Sequence, residues 1–250
     1  MQGCFFVEKI KNCGEFMKIN LIGSVKNLSK KELCLWIFSM LAVTATVFLG
    51  SSLFEIIAGI IGVSSLIFAA KGDVLGQILI VIFAVMYGII SLSFSYYGEM
   101  ITYLGMTAPI AVLAVISWIR HPFEGNNNEV EVNTSIKLPE VILTAISAII
   151  VTIIFYFILK AFGNNSLMLS TVSVTTSFLA SYLTFRRCRY YAICYAANDL
   201  VLVGLWVIAS LENPSYISMV VCFAVFFVND LYGFYNWGKI SKSQQTERCE

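Results

Sequence analysis

Long apolar runs separated by short polar breaks dominate the chain. Eight of these runs are long enough to cross a bilayer as helices of about 20 residues. They lie at 33–50, 53–70, 74–94, 98–119, 141–160, 167–184, 190–210 and 215–237. Apolar residues fill the runs instead of forming one stripe, which indicates helices surrounded by lipid. The pattern predicts an all-α membrane protein, and the first run is the one that could instead lie along the membrane surface.

The polar segments set the predicted boundaries and the orientation. Residues 1–32 form a basic N-terminal segment, 120–140 form the one long loop, and 238–250 form a tail. If the N-terminus is cytoplasmic and eight spans alternate, fifteen of the 16 Lys and Arg residues are cytoplasmic, and only Lys160 lies outside. Cytoplasmic loops carry such an excess of positive charge. We therefore predict a multi-pass protein of the cell membrane with both termini in the cytoplasm.

The two halves of the chain on either side of the long loop resemble each other weakly. An offset of 119 residues superposes four pairs of residues: Tyr87 on Trp206, Tyr97 on Tyr216, Trp118 on Trp237 and Arg120 on Lys239. A linking helix at 141–160 gives both halves the same direction. Residues 53–119 and 167–237 would then form two parallel three-helix bundles around a central axis, with a substrate path between them.

Composition narrows the classes of function. With 58% hydrophobic residues, 12% charged residues and a net charge of +1, the chain is neither an ordinary soluble domain nor a nucleic-acid binder. The seven cysteines form no metal-binding or disulfide pattern, and the single histidine, His121, lies in a loop. The sequence contains no hydrolase triad, zinc motif or nucleotide-binding loop. We therefore predict a protein that is not an enzyme and that uses no cofactor or metal.

Two Asn-Asp pairs stand in the last two apolar runs, Asn198-Asp199 and Asn229-Asp230, although the chain has only three aspartates. A carboxylate at membrane depth is costly unless it is paired or faces water. At 1.5 Å per residue, Asp199 lies about 13 Å and Asp230 about 11 Å from the same side of the membrane. The four residues are therefore predicted to hold the hydroxyl and amide groups of a ligand. The alternative is that each aspartate only accepts hydrogen bonds from neighbouring Tyr or Asn side chains.

Hydroxyl and aromatic side chains complete the predicted site. One face of the 167–184 helix carries Ser170, Ser173, Ser177, Ser181 and Thr184. Such a face suits either the wall of a polar path or close packing between helices. Two tyrosines near the aspartates are placed to flank a flat ring. The candidate ligand-binding residues are Asn198, Asp199, Asn229, Asp230, Tyr195, Tyr232, Tyr191, Trp206, Ser177 and Tyr87.

The last third of the chain also carries a family resemblance. From Arg186 to Trp237 it reads RRCRYYAICYAANDLVLVGLWVIASLENPSYISMVVCFAVFFVNDLYGFYNW. It has a basic loop, Asn198 in an aromatic-rich helix, Tyr216 in a short outer loop and the closing pattern Gly233-x-x-x-Trp237. These features resemble the C-terminal half of the nicotinamide riboside transporter (PnuC) family. The earlier segment KGDVLGQILIVIFAVMYGIISLSFSYYGEM resembles that family's second helix and outer turn, so the resemblance covers about residues 53–239.

The resemblance implies a SWEET-like fold of three, one and three helices with an extra N-terminal helix. It also implies facilitated diffusion of nicotinamide riboside or a related nucleoside-like vitamin, which a cytosolic kinase then traps by phosphorylation. Members that carry nicotinamide riboside have Trp-x-x-Trp before the asparagine, whereas Tyr191 and Cys194 stand here. Deoxynucleoside, thiamine and riboflavin are therefore alternative substrates. A sugar or amino-acid transporter and a non-transporting membrane scaffold remain as other interpretations, and homo-oligomer formation stays open.

Overall fold

The computed structural model describes residues 21–94, 96–123, 126–164 and 166–248. Within these residues eight helices are long and apolar enough to cross a membrane, which confirms the predicted number. A short helix, α1 (Leu21–Lys26), precedes them. The eight are α2 (Lys30–Thr44, followed by a 3-10 helix at Ala45–Leu49), α3 (Leu53–Ala70), α4 (Val74–Ser93), α5 (Tyr97–Ile119), α6 (Leu138–Ala161), α7 (Leu167–Phe185), α8 (Tyr191–Glu212) and α9 (Ile217–Glu247). Most of the predicted basic segment, residues 1–20, lies outside the described residues.

Two local features depart from simple apolar helices. Helix α5 contains a π-helical segment at Tyr103–Thr107, just before Pro109. The long loop after α5 contains an antiparallel hairpin of β1 (Pro122–Phe123) and β2 (Asn126–Val130). The sequence predicts only a loop here, because strands this short leave no periodic signal.

Helix α9 continues to Glu247, beyond the apolar run that ends at 237. The added turns have a structural role at the hairpin. Gln244 accepts a hydrogen bond from the Val132 amide (2.8 Å) and donates one to the Val130 carbonyl (3.0 Å). Because these buried backbone groups require partners, the polar end of α9 fixes the loop in place.

The turn between α2 and α3 is set by reciprocal caps. Ser52 accepts from the Glu55 amide (3.3 Å), and the Glu55 carboxylate accepts from the Ser52 amide (3.4 Å). Ser29 and Glu32 form the same capping box at the start of α2. Gly50, with φ of 91°, ends the preceding 3-10 helix in the left-handed conformation that glycine adopts without strain. A tight turn at residues 50–52 therefore joins the first two membrane-capable helices.

Six helices form a closed ring around the centre of the molecule. Neighbours around the ring are α3, α4, α5, α7, α8 and α9, and α9 packs back against α3. Helix α2 lies outside the ring against α3 and α9, and α6 lies outside against α7. Only 6% of the apolar core of α6 is buried, the smallest share of the eight membrane-capable helices in the described ranges. A helix that is apolar on all sides and largely uncovered must face lipid.

Gly76 fixes the close approach of α3 and α4. A Cβ at this position would lie 2.2 Å from the Ala69 amide nitrogen, a backbone atom that cannot move aside. We expect Gly76→Ala to lower the melting temperature of the purified protein markedly, because overpacking costs about 1–3 kcal/mol or more.

Gly204→Ala in α8 is the matched control for this change, since nothing lies within 4 Å of its added methyl group. It should leave the melting temperature unchanged or raise it slightly, as alanine favours helix by up to about 1 kcal/mol. Equal melting temperatures for the two variants would contradict the tight contact at Gly76.

Two of the residue pairs related by the 119-residue offset meet across the ring. The Trp206 indole nitrogen donates to the Tyr87 hydroxyl (3.0 Å). The ring centres of Trp118 and Trp237 lie 5.4 Å apart, and all four residues are at most 1% exposed. The other two superposed pairs are not joined in this way; Tyr97, for example, packs against Phe162.

Trp118 and Trp237 each donate a hydrogen bond to a backbone carbonyl in the other half of the chain. Trp118 donates to the Thr184 carbonyl at the end of α7 (2.9 Å). Trp237 donates to the Ala69 carbonyl at the end of α3 (2.8 Å). Each half thus uses the tryptophan of its third helix to hold the last turn of the other half's first helix.

The two ends of the ring differ in charge. One end, which we call the basic end, carries Lys71, Arg120, Lys137, Arg186, Arg187, Arg189, Lys239, Lys242 and Arg248. The opposite end carries the turns around Gly50, Phe94, Gly163 and Asn213, where Lys160 is the one basic residue nearby among the described residues.

Candidate functional site

A small cavity of about 40 Å³ lies inside the ring. Its polar lining consists of Ser65, Tyr103, Thr107, Tyr195, Asn198, Asp199 and Asp230, and its apolar lining consists of Leu66, Ile80, Phe83, Ala84 and Phe226. None of these residues is basic. A water molecule needs about 10–15 Å³, whereas small-molecule pockets usually measure about 300–1,000 Å³. The ring is therefore closed around its centre, and a ligand requires it to widen.

Asp199 of α8 and Asp230 of α9 meet at this cavity. Both side chains line the cavity, and each residue is 4% exposed. The Asp199 Oδ2 atom has no hydrogen-bond partner in the described part of the chain. Two adjacent carboxylates repel each other when both are ionised. The pair therefore needs a proton, a cation or ligand donors between its oxygens.

Asn198 connects the aspartate pair to helix α7. Its amide oxygen accepts hydrogen bonds from Ser173 (3.2 Å), Thr176 (2.8 Å) and Ser177 (3.0 Å). Asn198 lines the cavity together with Tyr103 of α5. Asn198 is thereby held in one orientation at the cavity wall.

The hydroxyl face of α7 lines this polar interior. All five of its hydroxyl residues are buried. Along the helix, Ser170 accepts from Asn164 (2.9 Å), and Ser181 lies 3.2 Å from the Tyr195 hydroxyl. Thr184 bonds to its own helix at the Ala180 carbonyl (2.8 Å). Most of the face therefore contacts polar partners inside the ring instead of serving only as a packing surface.

Glu99 belongs to the same network, although the sequence analysis missed it. It lies in the first turn of α5, is fully buried, and its Oε2 atom accepts a long hydrogen bond from Ser173 (3.5 Å). Its other oxygen has no partner among the described residues. A lone carboxylate within an apolar span is a functional candidate by itself, and that signal was present in the sequence.

Four of the predicted aromatic residues lie along the axis of the ring. Tyr195 lines the cavity. Tyr87 and Trp206 form their hydrogen-bonded pair on the side nearer the opposite end, where Trp206 also packs against Tyr96 (4.7 Å between ring centres). Tyr191 packs on Trp237 at the basic end (4.9 Å). Aromatic layers thus close the path on both sides of the cavity.

Asn229 and Tyr232 lie away from the cavity, in contact with α2. The Asn229 amide donates to Ser39 (2.9 Å), and the Tyr232 hydroxyl donates to Glu32 (3.0 Å). Consecutive residues on a helix point about 100° apart, so Asp230 faces the ring while these two neighbours face outward. The structure therefore does not bring them together with the other candidates.

The inward face of α4 carries two further polar side chains that the sequence analysis did not select. Gln77 and Ser91 are fully buried, and their side-chain polar atoms have no partners in the described residues. Gln77 lies one turn before Ile80, and Ser91 one turn after Tyr87, on the same helix face. Buried unpaired amides and hydroxyls are costly, and α4 carries them both before and after the residues that line the cavity.

Comparison with known proteins places the chain in a family. Residues 52–239 match the nicotinamide mononucleotide transporter family. The nicotinamide riboside transporter PnuC of Haemophilus influenzae is 23% identical over 186 residues, which cover 74% of this chain and 79% of that protein. The crystal structure of the vitamin B3 transporter PnuC shares the fold, with a TM-score of 0.76 at 21% identity over 87% of this chain and 94% of that one. The resemblance seen at Arg186–Trp237 is confirmed, and the chain belongs to the nicotinamide mononucleotide transporter family, that of the PnuC transporters.

Proposed function

We propose that this protein carries nicotinamide riboside across the cell membrane by facilitated diffusion. The H. influenzae relative is named for that substrate, and the solved structure is named for vitamin B3. The observation that carries the proposal is the acidic cavity, where Asp199 and Asp230 stand with no basic residue in the lining. Nicotinamide riboside combines a positively charged pyridinium ring with ribose hydroxyl donors, and both groups suit unpaired carboxylate oxygens.

The charge of the cavity favours the riboside over the mononucleotide. A phosphate would lie close to the carboxylates of Asp199 and Asp230, and Glu99 adds a third buried carboxyl group in the same network. Like charges 4 Å apart repel by about 4 kcal/mol at the effective dielectric constant near protein surfaces. The family name mentions the mononucleotide, but the side chains of this cavity suit a ligand without phosphate.

Thiamine is the second candidate substrate. It also carries a positively charged ring, whereas riboflavin and deoxynucleosides are neutral. Tyr191 and Cys194 stand at the two positions where the resemblance predicts tryptophan. Other aromatic residues must therefore contact the ring of the ligand. Tyr103, Tyr195 and Phe83 line the cavity. Rings of this kind can stack on either heterocycle.

We further propose that the ring consists of two parallel three-helix bundles, α3–α5 and α7–α9, with α6 as the linking helix and α2 as the extra one. This is the SWEET-like arrangement that the family resemblance implies. The exchanged hydrogen bonds of Trp118 and Trp237 support a two-fold relation between the halves. Transport would then alternate opening at the Tyr87–Trp206 layer and at the Trp118–Trp237 layer.

The basic end is proposed to be cytoplasmic in the cell membrane, because positive loops are retained there. Phosphorylation by a cytosolic kinase would trap the substrate after entry. The added phosphate gives the product a charge that the acidic cavity repels, so the product cannot leave by the same path. No oligomeric partner is part of this proposal.

The test is a panel of ligands with purified protein and with protein in liposomes. Calorimetry should show binding of nicotinamide riboside, at least tenfold weaker binding of the mononucleotide, and no comparable binding of thymidine. Liposomes without gradients should reach equal substrate concentrations inside and outside. Tighter binding of the mononucleotide would contradict the proposed ligand, and accumulation driven by a proton gradient would contradict facilitated diffusion.

A further inference from the structure

A second, larger cavity of about 560 Å³ lies at the basic end, outside the ring. It is bounded by the loop at 132–136, the start of α6, the end of α7, the loop before α8 and the last turns of α9. Two basic residues, Arg189 and Lys242, line it, and none of its lining residues is acidic. It is therefore a cationic cavity separate from the acidic one in the ring.

The other two arginines of the α7–α8 loop are fully engaged in the structure. Arg186 donates two hydrogen bonds to the Glu140 carboxylate (2.5 and 2.9 Å). Arg187 donates to the Ser117 hydroxyl (3.1 Å) and to the Glu131 carbonyl (3.2 Å). These contacts hold the loop against α6 and the end of α5, so both arginines have structural partners.

Arg189 differs because its side chain forms neither an ion pair nor a hydrogen bond within the described part of the chain. Its guanidinium carbon lies 5.0 Å from the ring centre of Tyr190 and 5.3 Å from that of Phe234. Its Nε atom is buried without a hydrogen-bond partner among the described residues. Contacts with aromatic rings hold a guanidinium in place while its terminal N–H groups stay available to a phosphate.

The remaining walls of this cavity combine a second cation with apolar surface. Lys242 is exposed on α9 and makes no ion pair with any described residue. Val141 and Leu183 form an apolar side, and Val141 is 52% exposed at the start of the lipid-facing helix α6. The cavity thus joins a cationic part at the membrane border to a surface that continues along α6.

We propose that this cavity binds the headgroup of an anionic phospholipid. Arg189 and Lys242 contact the phosphate, and one acyl chain lies along Val141 and Leu183. Basic pockets between helices on the cytoplasmic side of membrane proteins suit such headgroups. The apolar wall favours a lipid over a free phosphate, because a free phosphate would leave that wall exposed. The proposal does not depend on which substrate the ring carries.

The test measures lipid binding to the full-length protein purified in detergent. Short-chain phosphatidylglycerol and short-chain phosphatidylcholine are titrated separately, and the melting temperature is followed. We expect phosphatidylglycerol to stabilise the wild type at concentrations where phosphatidylcholine has little effect. Arg189→Gln and Lys242→Gln should each weaken this response about fivefold, which corresponds to about 1 kcal/mol for each basic residue.

Lys239→Gln is the matched control, since it removes one positive charge from α9 three residues before Lys242. Lys239 lies over the ring of Tyr235 and is not part of the cavity lining. It should keep the full response to phosphatidylglycerol. If Arg189→Gln does not fold, Lys242→Gln alone decides the outcome. Equal loss in Lys239→Gln and Lys242→Gln, or equal responses to the two lipids, would overturn the proposal. The same stabilisation by inorganic phosphate would also overturn it, because the ligand would then be a soluble phosphate.

Discussion

Asp230→Asn is expected to weaken the binding of nicotinamide riboside by about tenfold or more. Asp230 lies beside Asp199 at the cavity and is almost fully buried. The substitution keeps the size of the side chain but removes its charge and replaces one acceptor oxygen with a donor group. A hydrogen bond to a charged group contributes about 1.5–3 kcal/mol, and the attraction to the pyridinium ring is lost as well. Calorimetric titration of both purified proteins measures the change.

Asp73→Asn is the matched control, because it makes the same chemical change at the third aspartate of the chain. Asp73 caps α4 by accepting from the Leu75 amide (2.9 Å), and asparagine caps a helix equally well. Its affinity should equal that of the wild type. Asp230→Leu should bind still less substrate but melt at a higher temperature, because an apolar side chain removes a buried charge. Unchanged affinity in folded Asp230→Asn and Asp199→Asn would leave these aspartates with a purely structural role.

The spans could be predicted from the sequence because lipid imposes a simple rule. A helix in hydrocarbon must be long and apolar, and that requirement appears directly in the residue pattern. The hairpin at Pro122–Val130 and the polar end of α9 follow no such rule. They depend on single contacts such as the one from Gln244 to Val130, between residues 114 positions apart. Contacts of that kind cannot be found from local periodicity.

The candidate site could be predicted only in part, because the sequence does not show to which side of its helix each side chain points. Depth along a helix follows from residue number, and it correctly suggested that Asp199 and Asp230 could meet. The side of the helix that faces the ring depends on packing, which the Asn-Asp pattern does not contain. Asn229 therefore faces Ser39 on α2, although Asp230 next to it faces the cavity. Glu99 was missed because it stands in the first turn of its helix, where an acidic side chain is also favoured by the helix dipole.

Asn198→Leu is expected to have the second large effect, on stability and on binding together. Leucine is similar in size but offers no acceptor to Ser173, Thr176 and Ser177. Thr176 keeps bonds to its own helix at the Val172 and Ser173 carbonyls, and Ser173 keeps its long bond to Glu99. Ser177 therefore bears most of the loss. A buried hydroxyl left unpaired costs about 1–3 kcal/mol. The melting temperature should fall by several degrees, and substrate affinity should fall about tenfold or more.

Asn198→Asp separates the two roles of this residue. An aspartate still accepts from the three hydroxyls, so the melting temperature should stay closer to that of the wild type than in Asn198→Leu. It has no amide donor, however, and it adds a carboxylate next to Asp199, so substrate affinity should still change. Thr176→Val serves as a mild control, because it removes one of three donors and leaves the asparagine in place. If Asn198→Leu folds, melts and binds like the wild type, Asn198 does not organise the cavity wall, and the polar interior is held by its other hydrogen bonds.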